Sequence, residues 1–238
     1  CSFNGSDHVG RQMLSSILNN QGLFDPEYSS KNFSYDNNWI TGHLEKNLGL
    51  EKRPLLKHKL KGKKNSNGRN HSGRITVFHK GGGVKRRYRS INFFRCNNST
   101  SIVCSLEYDP NRHANLAAVF DLLNSTFYYI LAPRGLKVGD IVKSGIEIDP
   151  SLGSSLPVSK IPIGTPIYNV STKISGKGVF SRSAGTFSSI KEKNNNFVRI
   201  ELSSGEQRYI NPKCFASIGE VSREFHSLTK RGKAGRSR

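Results

Sequence analysis

Between Lys52 and Arg95 the chain carries fifteen lysines and arginines and not one aspartate or glutamate. Ordinary solvated surface mixes both signs, so a run of this length without a carboxylate needs another explanation. Like charges held this densely repel one another unless something anionic neutralises them. The rest of the chain is closer to balance. Residues 1–50 hold three basic and five acidic side chains, residues 96–221 thirteen and ten, and residues 222–238 six and one. The whole reaches a net charge of +20, and the excess lies largely in one stretch. Nucleic acid is the natural counterpart, because each phosphate met by Lys or Arg releases a condensed counterion. An anionic membrane is the competing partner and ranks low. No run approaches the roughly 18 apolar residues needed to span a bilayer, and the cations do not line one amphipathic helix.

Composition then limits the architecture. Hydrophobic residues make up 34% of the 238, so part of the chain lies outside any packed core. Glycine is abundant and long apolar helical stretches are missing, which favours short strands and turns. Residues 1–51 read as an N-terminal extension whose rings (Phe24, Tyr28, Phe33, Tyr35, Trp39) suit docking on a neighbouring protein. Residues 52–73 read as a basic strap, too poor in apolar side chains to build a core and ordered only on a polyanion. From Arg74 the texture becomes strand-like, with candidates at 74–79, 88–95, 101–108, 114–121 and 126–131. Ile102, Cys104 and Leu106 are expected on one face of the third. Five strands in about 60 residues suggest a small barrel, 74–132. After Pro133-Arg134-Gly135 a second block, 133–221, repeats the pattern with turns at 193–196 and 203–205. A basic tail, 222–238, closes the chain. The expected class is all-β, two small barrels in tandem with a strap and a tail.

Three constellations carry the chemistry. In Lys80-Gly81-Gly82-Gly83-Val84-Lys85-Arg86-Arg87-Tyr88-Arg89 the glycines let backbone approach a phosphate, and five cations surround them. Tyr88 either stacks on a base or fills the barrel. The Lys after the glycines, Lys85, is followed by Arg86 rather than Ser or Thr, which argues against a nucleotide-binding P-loop. In Glu107-Tyr108-Asp109-Pro110-Asn111-Arg112-His113 a turn presents Arg112 and His113 for phosphate contact. Its two carboxylates lie on one strand face, which gives glycosidase chemistry little support. In Gly176-Lys177-Gly178-Val179-Phe180-Ser181-Arg182-Ser183-Ala184-Gly185 small residues and hydroxyls beside two cations fit close packing against RNA sugar and phosphate. No base stands near its serines for nucleophilic catalysis.

The four cysteines form no CxxC pair and the seven histidines show no metal spacing. No cofactor is expected. A nuclease or methyltransferase would need an acidic metal cluster or a nucleotide-binding glycine motif, and neither is present. A free single-strand-binding module would need more exposed aromatics than the first barrel offers.

Several runs, in order, resemble one family: GRNHSGRITVFHKGGGVKRRYR, EYDPNRHANLA, YILAPRGLKVGD, LPVSKIPIGTPIYNV, GKGVFSRSAGT and a Cys-x-Ala-x-Ile-Gly-Glu-Val segment at 214–221. Over residues 68–238 the chain is similar to the universal large-subunit ribosomal protein L-two family. The resemblance implies an oligonucleotide-binding (OB-type) barrel followed by an SH3-like barrel, both bedded in large-subunit rRNA near the peptidyl-transferase centre. It implies support of translation and subunit association, without enzymatic activity. The RNA-binding residues expected are Arg69, Arg74, His79, Lys80, Lys85, Arg86, Arg87, Arg89, Arg112, His113, Lys177, Arg182, Ser183, Lys233 and Arg236. Expected partners are the rRNA, neighbouring ribosomal proteins, and a separate polypeptide supplying the family's C-terminal extension, which this sequence does not contain. The Asn- and Lys-rich style leans towards a mitochondrial ribosome, with plastid or bacterial as alternatives.

Overall fold

The computed structural model describes residues 50–63, 65–228 and 232. The expected N-terminal extension and most of the basic tail, with Lys233 and Arg236, lie outside the described residues. Among those described there is no α-helix, only three short 3-10 turns at Lys57–Lys59, Val158–Lys160 and Glu224–Leu228. The protein is mostly β.

The strands are β1 (Leu60–Lys63), β2 (Arg86–Arg89), β3 (Ser99–Glu107), β4 (Leu116–Asp121), β5 (Thr126–Leu131), β6 (Ile141–Ser144), β7 (Ser155–Pro157), β8 (Pro166–Tyr168), β9 (Val170–Ser171), β10 (Gly178–Phe180), β11 (Ser188–Lys193), β12 (Val198–Glu201), β13 (Gln207–Ile210) and β14 (Phe215–Ile218). Ten of them form one sheet in the order β13-β12-β11-β8-β14-β7-β6-β3-β4-β5. Within each half the neighbours are antiparallel. The halves join through a single parallel pair, Ser144 opposite Ser155. β1 with β2, and β9 with β10, make separate two-stranded ribbons.

Three apolar clusters hold this together. Leu156, Val158, Ile161, Ile167, Ile190, Val198 and Ile200 are fully buried in the second half. Val103, Ala117, Val119, Ile130 and Val142 fill one side of the first half. The other side holds Leu116, Ala118, Tyr129 and Leu131, and it also takes in Tyr168 and Val221 from the second half. The Tyr168 hydroxyl donates to the carbonyl of Leu131 at 3.2 Å, so that shared cluster is hydrogen-bonded across the join. Burying each large aliphatic side chain contributes about 1.5–3 kcal/mol.

Two local expectations are corrected. Residues 74–79 do not form a strand. Their alternation has nothing to pack on: Ile75, Val77 and Phe78 are exposed, and the only ladder contact is an isolated bridge from Ile75 to Arg69. On β3, Ser99, Ser101 and Val103 are buried, and Ile102, Cys104 and Leu106 are half-buried. Serine is admitted there because the Ser101 hydroxyl lies 2.7 Å from that of Tyr128, and Ser99 2.7 Å from Ser144. The strap does not wait for a polyanion to become ordered. Leu56 is buried in the shared cluster, and β1 pairs residue for residue with β2, so backbone hydrogen bonds order it without an apolar face.

Candidate nucleic-acid interface

The β1–β2 ribbon sets Lys61 opposite Tyr88, Gly62 opposite Arg87 and Lys63 opposite Arg86. Lys61, Lys63, Arg86 and Arg87 are exposed. The loop that joins the two strands carries Arg69, Arg74, His79, Lys80 and Lys85, all exposed as well. The glycine run at the end of this loop is partly explained within the chain. A Cβ on Gly82 would stand 2.3 Å from the side-chain oxygen of Asn67, and the Gly82 carbonyl accepts from Asn65 Nδ2 at 2.6 Å. A Cβ on Gly81 would meet nothing, so that position stays open to a ligand.

The turn after β3 clasps the ribbon. Arg86 donates to the carbonyl of Pro110 at 2.8 Å, and Asn111 Nδ2 donates to the carbonyl of Arg87 at 2.7 Å. The first two constellations therefore form one surface. Beneath it lies a buried charge cluster. Arg89 Nε donates to Glu107 at 3.1 Å, and its Nη1 lies 3.7 Å from Asp109. Glu107 also accepts from the Leu55 amide at 2.8 Å and from the Tyr129 hydroxyl at 3.0 Å. Arg112 Nε donates to Asp109 at 2.8 Å. The side chains of Glu107 and Asp109 are wholly buried and that of Arg89 is 4% exposed. Arg89 is thus a correction to the expected interface: its guanidinium is committed to two buried carboxylates and cannot reach a phosphate. Burial, with Glu107 beside it, pushes the Tyr129 hydroxyl up to about 12.

The third constellation meets the second on one ring. The guanidiniums of Arg182 and Arg112 lie over Phe93, 4.8 and 5.8 Å from its centroid. The Phe93 carbonyl accepts from the Gly178 amide at 3.1 Å and from Asn169 Nδ2 at 3.3 Å. Gly178 is required there, since a Cβ would fall 2.4 Å from the Asn169 carbonyl oxygen. Lys177, Arg182 and Ser183 are exposed around this junction. His113 stacks on His226 with centroids 3.8 Å apart, and its carbonyl accepts from Arg223. Two residues the sequence reading passed over hold the arrangement. Phe93 seats both arginines. Arg95, buried, donates to the carbonyl of Gly153 at 2.7 Å and braces the join between halves. The signal for both was a cation closing an apolar run, Ile91-Asn92-Phe93-Phe94-Arg95.

The electrostatic division is sharp. Ion pairs among the described residues engage Arg89, Arg112, Arg134, Lys191, Arg199 and Arg208. None engages a cation between Lys52 and Arg87. Among the described residues no group of three or more His, Cys, Asp or Glu is placed to hold a metal, and Cys96, Cys104 and Cys214 are free thiols. No helix there is long and apolar enough to cross a membrane.

A mostly β chain that buries the acids beneath its cationic ribbon and leaves the ribbon itself unpaired is, as a class, a polyanion-binding protein. The comparisons with known proteins make this specific. Residues 56–144 match the family model described as Ribosomal Proteins L2, RNA binding N-terminal domain, and residues 151–238 match Ribosomal Proteins L2, C-terminal domain. Among curated relatives, the large ribosomal subunit protein uL2 of Wolbachia sp. subsp. Brugia malayi is 44% identical over 82% of this chain and 71% of its own. That of Azorhizobium caulinodans is 44% identical over 80% and 69%. That of Buchnera aphidicola subsp. Cinara cedri is 46% identical over 77% and 66%. The chain belongs to the ribosomal protein L2 family, whose members are structural ribosomal proteins and not enzymes.

Proposed function

We propose that this protein is a structural constituent of the large ribosomal subunit that binds large-subunit rRNA through the β1–β2 ribbon, its connecting loop and the Phe93 junction. The observation that carries this is the unpaired run: no cation from Lys52 to Arg87 has an ion-pair partner among the described residues, while the ion pairs that form lie elsewhere in the fold. Such a surface gains most by releasing counterions from RNA phosphate. Arg69, Arg74, His79, Lys80, Lys85, Arg86 and Arg87 are the ribbon and loop contacts. Arg112, His113, Lys177, Arg182 and Ser183 form the second patch.

The finer reading follows the family resemblance. Residues 74–132 are an OB-type barrel, supported by the β3-β4-β5 meander with β6 closing on β3. Residues 133–221 are an SH3-like barrel, supported by the β11-β12-β13 meander between β8 and β14. Residues 1–51, 52–73 and 222–238 are extension, strap and tail. The site on the subunit is near the peptidyl-transferase centre, where the protein supports subunit association beside neighbouring ribosomal proteins. The Asn- and Lys-rich composition favours a mitochondrial ribosome.

The test is binding of the full chain to large-subunit rRNA across a salt series. The log–log slope should be steep, and Arg86→Ala with Arg87→Ala should make it shallower by about 1.4 to 1.8, at about 0.7–0.9 per phosphate lost. In cell extracts the protein should remain with the large subunit after a high-salt wash, and organelle fractionation should find that subunit in mitochondria. Unchanged binding by the double variant, or release from the subunit in the wash, would overturn the assignment.

A further inference from the structure

The loop 65–85 is held firmly by its own backbone yet leaves its largest apolar side chain in solvent. The Gly68 carbonyl accepts from the amides of Thr76 at 2.8 Å and Val77 at 3.0 Å and from the Thr76 hydroxyl. Asn70 Oδ1 accepts from the Ser72 amide and hydroxyl and from the Arg74 amide. These bonds fix the chain just before Phe78, and His79, just after it, takes the left-handed conformation with φ 55°. Phe78 itself is 75% exposed and belongs to none of the apolar clusters. A ring contributing nothing to its own fold, on a rigid loop flanked by Arg74, His79 and Lys80, has the makeup of a nucleic-acid stacking platform.

We infer that Phe78 stacks on an unpaired base of the bound RNA while its basic neighbours hold the adjoining phosphates. This rests on the RNA-binding reading above and narrows it. A regular A-form helix keeps its bases inside the stack, and its deep groove is too narrow for a ring to enter. The RNA facing this loop must therefore present a bulged, looped or splayed nucleotide. An anionic lipid surface would also attract an exposed ring beside cations. The backbone-fastened loop, which presents one ring rather than an apolar helical face, favours the base.

The test compares the full chain with Phe78→Ala, Phe78→Leu, Phe78→Trp and the Arg86→Ala, Arg87→Ala double variant. The probes are a fully paired RNA duplex, the same duplex with an unpaired bulge, and phosphatidylglycerol-containing vesicles. Stacking is tolerant of sequence, so the bulge need not be the native one. Phe78→Ala should weaken binding to the bulged RNA by about 5- to 150-fold, leave the paired duplex unaffected and leave the salt slope unchanged. Phe78→Trp should retain affinity, and Phe78→Leu should behave like Phe78→Ala. Unchanged circular dichroism would show that the loss is one of binding. Equal binding of the bulged RNA by Phe78→Ala, wild-type affinity in Phe78→Leu, or a Phe78-dependent affinity for vesicles would each overturn the stacking role. If the double variant also bound both RNAs like wild type, the RNA reading itself would fall.

Discussion

Replacing Arg89 with methionine would keep most of the aliphatic stem and remove the guanidinium from the centre of a buried charge cluster. Glu107 would lose its bond at 3.1 Å, and Asp109 a cation at 3.7 Å, with both carboxylates fully buried. Removing one member of a buried pair typically destabilises by 3–5 kcal/mol, because the remaining charge is left uncompensated. Here the loss should fall near the lower end, about 3 kcal/mol. Arg112 still neutralises Asp109, and Glu107 still accepts from the Leu55 amide and the Tyr129 hydroxyl. Adding Glu107→Gln should recover part of it, since the double variant no longer buries an unmatched charge. Urea unfolding of the full chain followed by far-ultraviolet circular dichroism reads both effects, free of the screening that a salt denaturant would add. A loss below about 1 kcal/mol, together with weaker rRNA binding and a shallower salt slope, would refute the reasoning. Arg89 would then be a phosphate contact after all.

Two further outcomes follow from the same geometry. Tyr129 ionises at about 12 in the fold against 10.0 for an unburdened phenol, and the raised value means that folding favours the protonated form. Its contribution is whole below pH 10 and lost between 10 and 12, about 2–3 kcal/mol in all. A Tyr129→Phe variant should lack that alkaline step in urea titrations while losing about 1–3 kcal/mol at neutral pH, because Glu107 loses a donor and the Leu56 amide loses its acceptor. Phe93→Leu should change stability by less than about 1.5 kcal/mol yet weaken rRNA binding several-fold, since each arginine seated on the ring loses roughly 0.5–1 kcal/mol of orienting contact. Wild-type affinity in Phe93→Leu would remove the ring from the interface.

Much of the strand pattern could be read directly from the sequence. Thr126–Leu131 is a strand at the expected bounds, and the turns at 193–196 and 203–205 separate β11, β12 and β13 as their Asn and Gly content requires. The strands that escaped notice were β1, hidden in the basic strap, and β7 and β14, three and four residues long and built partly of Ser, Pro and Ala. Their pairing partners are distant: Phe215 meets Pro157, and Ser217 meets both Ser155 and Tyr168. Such contacts have no local signature. The bulge between Val103 and Ser105 shifts the register of β3, so simple alternation does not run the length of that strand. At the interface, charge density was legible in the sequence but its allocation was not. Arg86, Arg87 and Arg89 look alike in a row, and Arg87 and Arg89 share a strand face, yet the buried carboxylates of Glu107 and Asp109 draw Arg89 alone inward.

That allocation links the fold to its use. Two acids of the first half lie at its centre, where Glu107 and Asp109 bind Arg89 and Arg112 and draw Leu55, Tyr129 and the turn at Asn111 around them. This fastens the strap and the ribbon to the sheet through carboxylates that are themselves buried, and no acid lies on the ribbon or its connecting loop. An acid on the ribbon would offset a neighbouring lysine and lower the number of counterions released on binding. Internal neutralisation thus does two things at once: it ties a polar stretch to the sheet, and it keeps the charges of Glu107 and Asp109 away from the cationic face. Arg112 stands at the boundary, one edge bound to Asp109 and its face over Phe93 beside Arg182, so the charge cluster that stabilises the first half also sets the position of the second cationic patch.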